Sequence, residues 1–453
     1  MLLTSLRPYQ VRATEEAVTA LKGGGGFLLI PEQRTGKCLI SYATADRIQP
    51  KFILVICPKV AIPVWRREFK THLQALSLPK PTVVNYEQVV NNRKHWYAWI
   101  KSRSDCLIIA DEAHFMKKRG ASRSRVVRHM ARYAKYRLAL TGTPIAQGLI
   151  DAWAQFDFID PEIFGKFDNT VDKRTDEVIE VGFNSKYIIW GGYQKHSITG
   201  YQNEDEFNEI FHRHSFRITL REARREGGKK PLILHYRKAF LDLERKAQGI
   251  YDELEETLEA EVNKRKIKVK NVLACVMKLQ QITGGFVIEH VQEPDGPLWR
   301  HTHPIGHEKM EKLHEAVRSL PARQKFIVIC RFLHEIEAVK SYLSRLGYQT
   351  AVVAGGSPYD GVFASDAIVM QIQSGMAVDM SKAHTIILYS ADYSLINFEQ
   401  AKFRILSYDK EETGRYIFLL ARGTVDEIIY DAVSRKKKLA DLVIDVYRHR
   451  NKN

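Results

Sequence analysis

Two short stretches of this sequence carry the residue types best suited to chemistry. One is the acidic pair Asp111–Glu112, which ends the apolar run CLIIA and is followed by Ala113 and His114. The other is PEQRTGKC (31–38), which closes on Gly36–Lys37, follows the run FLLI and precedes a helical pattern. A strand, a tight loop and a helix place backbone N–H groups at a helix N-terminus, where they face phosphate, and Lys37 adds a positive charge. Carboxylates at the carboxyl end of a parallel strand lie where α/β sheets bind ligands. There Asp111 is suited to hold Mg²⁺, and Glu112 to orient and deprotonate an attacking water. Alone, Gly-Lys in a loop is usually a coincidence and Asp-Glu usually a solvated pair. Together, each in its context, they point to nucleotide hydrolysis. The match to a phosphate loop is incomplete, because Pro31 and Cys38 stand where Gly and Ser or Thr belong.

The elements that must position these residues follow from the apolar pattern. FLLI (27–30), FILVIC (52–57), VVNY (83–86), CLIIA (106–110) and RLALTG (137–142) alternate with helical stretches such as LISYATADRI (39–48). The pattern returns in KFIVIC (325–330), TAVVA (350–354), AIVMQI (367–372), TIILY (385–389) and YIFLLA (416–421). Such alternation is the sign of parallel sheets covered by helices. HEIEAVKSYLSRLGY (334–348) reads as a helix with Gly347 at its C-terminal cap. Residues 161–205 are rich in turn signals and aromatics, and Trp190-Gly191-Gly192-Tyr193 reads as a turn between strands. Residues 251–282 read as one long helix, acidic early and basic late. The expected organisation is an α/β protein: a first block over 1–160, a small insertion over 161–235 and a second block over 236–453.

Composition narrows the class. The 453 residues exceed one core, and 45% hydrophobic content supports a sizeable interior. A net charge of +16 favours a polyanionic partner, nucleic acid before a membrane surface. Cys38, Cys57, Cys106, Cys275 and Cys330 form no C-x-x-C pair and read as reduced residues, so a cytosolic setting is expected. The histidines show no metal-ligand spacing. No signal peptide or membrane-length apolar run is visible.

The order of the motifs resembles superfamily 2 nucleic-acid helicases and translocases, and within them the chromatin-remodeller-like (Swi/Snf-like) branch. The resemblance rests on LRPYQ (6–10), CPKVAIPVWRREF (57–69), NYEQV (85–89), DEAH (111–114), LTGTPI (140–145), KFIVICRF (325–332), QIQSGMAVDMSKA (371–383), FEQAKFRI (398–405) and GTVDEIIYDAVSRK (423–436). It implies two RecA-like lobes with ATP and Mg²⁺ between them and an arginine supplied by the second lobe. It implies that Arg7, Gln10, Arg34, Thr35, Gly36, Lys37 and Cys38 bind the nucleotide, with Gln10 reading the adenine. Asp111 would hold the metal and act with Glu112, Gln400 and Arg404 in hydrolysis. DNA contacts would come from Lys59, Arg66, Tyr86, Thr141, Arg331 and Ser374, with Arg67, Lys117 and the run 435–438 as further cations. His114, Thr143, Gly375 and Asp379 would couple hydrolysis to movement.

Three residues depart from the family's pattern. Cys38 replaces a hydroxyl that ligates Mg²⁺, and a thiol is a poor ligand for a hard ion. Arg34 stands where many members have Gly. In the finger helix Arg404 holds the first arginine position, but Ser407 stands at the second. The resemblance implies an ATP-dependent DNA helicase or translocase, a monomer or weak oligomer, acting on forked or branched DNA in replication, recombination or repair. The near-bare core suggests a compact phage-type enzyme in a bacterial host's cytoplasm. A duplex translocase that does not separate strands, a DNA-binding pseudo-ATPase and an RNA helicase stay open. Phe183, Tyr187, Trp190, Tyr193 and Tyr201 could stack on bases or form a local core.

Overall fold

The computed structural model describes residues 3–434 apart from 74–77, 146–147, 173–174, 176–177, 192–196, 258, 263–264, 269–271, 293–297, 355–361, 363, 373–379, 393–394 and 412. The chain divides into two compact units, Met1–Pro231 and Leu232–Asn453.

The first unit is built on a parallel sheet of β1 (Gly25–Pro31), β2 (Phe52–Cys57), β3 (Thr82–Asn85), β4 (Cys106–Asp111), β5 (Tyr136–Leu140) and β6 (Ser215–Ile218), in the order β6-β1-β5-β4-β2-β3. β1 and β4 are interior strands, each paired on both sides, and are buried along nearly their whole length, as unbroken apolar runs require in a sheet covered on both faces. Gly26 has a steric cause: a Cβ there would lie 2.2 Å from the Ile159 carbonyl oxygen, so only glycine lets β1 pass the helix Ile150–Ile159.

Of the expected insertion 161–235, residues 161–231 fall within this unit. β6 lies within them and extends the sheet by pairing Leu28 with Ser215. Phe183, Tyr187, Phe207 and Phe211 join Trp153 and Phe156 in one buried cluster. Phe164 stacks on Phe207 with ring centroids 5.1 Å apart. Trp190 donates its indole N–H to Asn184 Oδ1 at 2.7 Å, and Tyr201 packs against the cluster. The aromatics Phe183, Tyr187, Trp190 and Tyr201 are therefore local core, while Tyr193 lies outside the described residues. The expected hairpin is present, pairing Ile188–Gly191 with Ser197–Tyr201, but Trp190 and Gly191 lie in its first strand and not in a turn.

The second unit has a parallel sheet of β7 (Leu234–Leu241), β8 (Phe326–Cys330), β9 (Thr350–Val353), β10 (Ala367–Gln371), β11 (Thr385–Leu388) and β12 (Gly414–Ala421), in the order β7-β12-β11-β8-β10-β9. Gly347, at φ +91°, follows the helix Leu333–Arg345 as the capping signal required. The expected long helix over 251–282 is two helices, Arg245–Thr257 and Val272–Thr283, with a hairpin of Glu259–Val262 and Arg265–Lys268 between them. Charge order suited a helix there, but the backbone pairs Glu259 with Lys268 and Val262 with Arg265 as an antiparallel hairpin.

Inside this unit Lys309, 1% exposed, donates to Asp426 Oδ2 at 2.5 Å. Asp426 also accepts from Thr283 Oγ1 at 3.0 Å and from the Ala421 amide at 3.2 Å. A buried charge pair of this kind survives only with such supporting hydrogen bonds.

Candidate nucleotide-hydrolysis site

The loop Glu32–Gly36 joins β1 to the helix Lys37–Ile48. Gly36 has φ +84°, and a Cβ on it would meet Gln10 Nε2 at 2.5 Å, so the loop needs glycine twice over. Arg34 also adopts a left-handed conformation, φ +69°. The loop is anchored from the first helix, Pro8–Leu21. Tyr9 Oη and Gln10 Nε2 donate to the Thr35 carbonyl at 2.9 and 3.1 Å, and Gln10 Oε1 accepts from the Arg7 amide at 3.0 Å. Gln10 is buried, and its amide shapes the loop. Thr35, buried, closes the turn by donating Oγ1 to the Glu32 carbonyl at 2.6 Å.

β4 delivers Asp111 and Glu112 beside this loop. Glu112 is left-handed at φ +49°, and that turn aims its carboxylate at Lys37, whose Nζ lies 3.3 Å from Oε1. The second oxygen, Oε2, lies 3.2 Å from His114 Nδ1, which is 3.3 Å from Thr141 Oγ1. Thr141 Oγ1 accepts from the Thr143 amide at 3.1 Å. One chain of polar contacts thus joins the phosphate-type loop, the acidic motif and the LTGTPI segment. Burial would raise the Glu112 pKa, but the Lys37 charge and the His114 hydrogen bond and charge outweigh it and hold the carboxyl well below its usual range.

Asp111, 8% exposed, has the opposite balance: burial first, then the neighbouring Glu112 charge, pushes its pKa up. It is held by two donors. The Glu112 amide donates to Oδ1 at 2.9 Å, and the Trp65 indole N–H donates to Oδ2 at 2.8 Å. Trp65 is fully buried, and its carbonyl accepts from Tyr42 Oη at 2.9 Å. Trp65, Tyr9 and Tyr42 were not singled out from sequence. Trp65 had a signal, since it lies in the CPKVAIPVWRREF segment.

The expected DNA-contact residues fall into two groups. Lys59 and Arg66 are exposed, and Arg66 lines a groove of about 1260 Å³ together with Ile62, Phe69, Lys70, Lys80 and Gln88. Tyr86 and Thr141 are buried. Tyr86 donates its hydroxyl to the Asp111 carbonyl at 2.8 Å and stacks on Phe115, so its ring belongs to the interior behind the acidic motif and not to a polymer-facing surface. Lys117 lies 3.9 Å from Asp151.

In the second unit the Arg331 guanidinium donates to Gln280 Oε1, and the Arg331 amide donates to Ser390 Oγ at 2.7 Å. Arg404 is 5% exposed in a short turn, Phe403–Ile405, that follows the helix Leu395–Lys402. Gln400 lies on that helix. The finger expectation asks for a projecting guanidinium, and Arg404 is buried in this structure. Ser374, Gly375, Asp379, the short loop after TAVVA and the run 435–438 lie outside the described residues.

Phosphate and a divalent ion can be tested against this chemistry. A glycine-permitted loop, a twelve-residue helix starting at Lys37 and the Lys37 ammonium fit a polyphosphate. Asp111, fixed on both oxygens by neutral donors, fits a hard cation. Cys38 does not fit the hydroxyl role, because burial first, with Asp111 and Glu68, pushes its thiol well above the ordinary range and keeps it neutral. Among the described residues no helix is long and apolar enough to cross a membrane.

Residues 82–284 match the family model of the SNF2-related domain, and residues 3–146 match that of the type III restriction enzyme res subunit. Over 97% of its length the chain is 21% identical to the Mus musculus SWI/SNF-related matrix-associated actin-dependent regulator of chromatin subfamily A member 1, of which it covers 43%. It is 22% identical to the Mus musculus chromodomain-helicase-DNA-binding protein 1-like, of which it covers 50%. The chain thus spans about half the length of these relatives. A Sulfolobus solfataricus SWI2/SNF2 ATPase core solved in complex with dsDNA aligns over 96% of this chain and 92% of its own, at 17% identity and a TM-score of 0.43. Nothing in these likenesses carries the phage or branch-migration expectation.

Proposed function

We propose that this SNF2-related, superfamily 2 ATPase core is an ATP-driven translocase that tracks duplex DNA. The observation that carries the reading is the contact chain Lys37–Glu112–His114–Thr141, which ties a phosphate-type loop to a hydrolytic carboxylate and to the segment after β5. The net charge of +16, the exposed Lys59 and Arg66 and the SNF2-related match support DNA as the track. No described residue favours a forked or branched substrate, so tracking of duplex without strand separation is the reading adopted.

ATP with Mg²⁺, when bound, supplies the phosphoanhydride to be cleaved and a cation that neutralises charge developing on the phosphates. Lys37 and the helix N-terminus would hold the phosphates, and Asp111 the metal. Glu112 orients water and takes its proton on the carboxylate. Its partner Lys37 lowers the pKa, so drawing that ammonium away from Oε1 raises it and makes Glu112 a stronger base. His114 fixes the carboxylate through Oε2 and relays its position to Thr141 and Thr143.

The test is ATP turnover with no polymer, with duplex DNA and with RNA. Duplex DNA is expected to stimulate turnover more than RNA. Lys37→Ala and Glu112→Gln are each expected to lower stimulated turnover by at least about a hundredfold. Equal turnover with and without duplex would overturn the motor reading.

A further inference from the structure

The helix Ile62–His72 is unusual in what it buries. Trp65 is its one buried residue, while Arg66, Arg67 and Lys70 are exposed on it. Trp65 is also the residue that donates to Asp111 Oδ2. It is locked in place by the edge-to-face contact with Tyr42, 5.4 Å between centroids, and by the Tyr42 hydroxyl on its carbonyl. A rigid side chain therefore runs from a basic surface helix to a carboxylate suited to hold the metal.

We infer that Trp65 is a positioning residue for Asp111, and that it transmits occupancy of the basic helix by a polyanion to that carboxylate. An indole N–H is a donor only, so it fixes one carboxylate oxygen without competing for a cation. The bond is neutral-to-charged, buried and of good length, which places it among the stronger side-chain hydrogen bonds. Because Trp65 is the fully buried side chain of the helix, with Phe69 packing on the same Tyr42 ring at 5.4 Å, a shift of the helix on a phosphate backbone must move the indole or strain its bond. Cys38 sharpens the dependence: with a thiol where the family has a hydroxyl, position 38 offers no protein oxygen to share the metal with Asp111. The transmission half of this inference rests on the DNA reading above; the positioning half does not.

The experiment follows the Trp65 indole ¹H–¹⁵N resonance of the full chain, assigned by its disappearance in Trp65→Phe. Six tryptophans give a spectrum simple enough for this. Asp111→Asn is expected to move the resonance without touching Trp65 itself. Duplex DNA, added without nucleotide, is expected to move it in the parent chain and not in Arg66→Glu/Lys70→Glu. In turnover, Trp65→Phe is expected to raise the Mg²⁺ concentration for half-maximal rate about tenfold, the size expected for a lost hydrogen bond to a charged group, with DNA affinity unchanged. A Trp65 resonance indifferent to Asp111→Asn, or a Trp65→Phe variant with the parent's Mg²⁺ dependence, would overturn the positioning role. Stimulation by duplex with no movement of the resonance would overturn transmission and leave the function standing. Absence of any stimulation in the parent chain would remove the function and transmission together. Positioning would then still be decided by Asp111→Asn.

Discussion

Cys38 sits one residue past the lysine that faces Glu112, where a hydroxyl would serve a hard cation and a neutral thiol serves it poorly. Burial and nearby acids keep the thiol protonated through neutral pH, so it brings little bulk and no charge to the site. Cys38→Thr is therefore expected to preserve or raise Mg²⁺-dependent ATP turnover, measured across a Mg²⁺ titration. Loss of turnover would give the thiol a role of its own. Residue identity alone marked Lys37, Asp111 and Glu112, because those side chains are scarce in their contexts. It could not show what Gln10 and Tyr86 touch. Gln10 makes a 3.1 Å bond to Thr35 that holds its own loop. Tyr86 could stack on a polymer or fill the interior, and its bond to the Asp111 carbonyl decides.

At the scale of elements, the second unit is held by two buried acids. Glu335, at the start of the helix Leu333–Arg345, accepts from the Arg331 and Phe332 amides at 3.1 Å each and from Ser390 Oγ, joining the ends of β8 and β11. Burial raises its pKa above the ordinary glutamate value. The folded form then keeps its proton to higher pH than the unfolded chain, so stability falls as pH rises from that ordinary value through the raised one. Glu335→Gln is expected to flatten this fall in a series of melting temperatures against pH. Asp426 is different, because its charge is matched by Lys309 at 2.5 Å. Lys309→Met should cost about 3–5 kcal/mol by urea unfolding, and Lys309→Met/Asp426→Leu should recover part of it, since an uncompensated buried charge is the main penalty. The strands whose ends these acids contact were legible as apolar runs. The split of 251–282 into helix, hairpin and helix was not, because charge order carries no period and does not distinguish a long helix from two helices and a hairpin.

For the whole molecule the prominent fact is charge. With Lys and Arg exceeding Asp and Glu by 69 to 53, association with duplex is expected to be dominated by phosphate contacts. Log affinity should fall linearly with log salt, with a slope of about −0.9 per phosphate neutralised, and with little dependence on base sequence. Filter binding or fluorescence anisotropy over a salt series checks this. A flat salt response would remove the backbone-tracking mode.

The sequence by itself determined the class: parallel α/β layers in two blocks, a phosphate-type loop beside a hydrolytic acid pair, and a motif order resembling remodeller-type motors. It could do so because buried parallel strands are written as unbroken apolar runs and phosphate chemistry admits few side chains. Only the tertiary structure decided where 161–235 belongs, since β6 enters the first sheet beside a strand far back in the chain, Leu28 against Ser215. Only it decided that Trp65 reaches Asp111 and that His114 stands between Glu112 and Thr141. These are contacts between residues remote in sequence, and no local pattern encodes which side chain will meet which across a folded sheet.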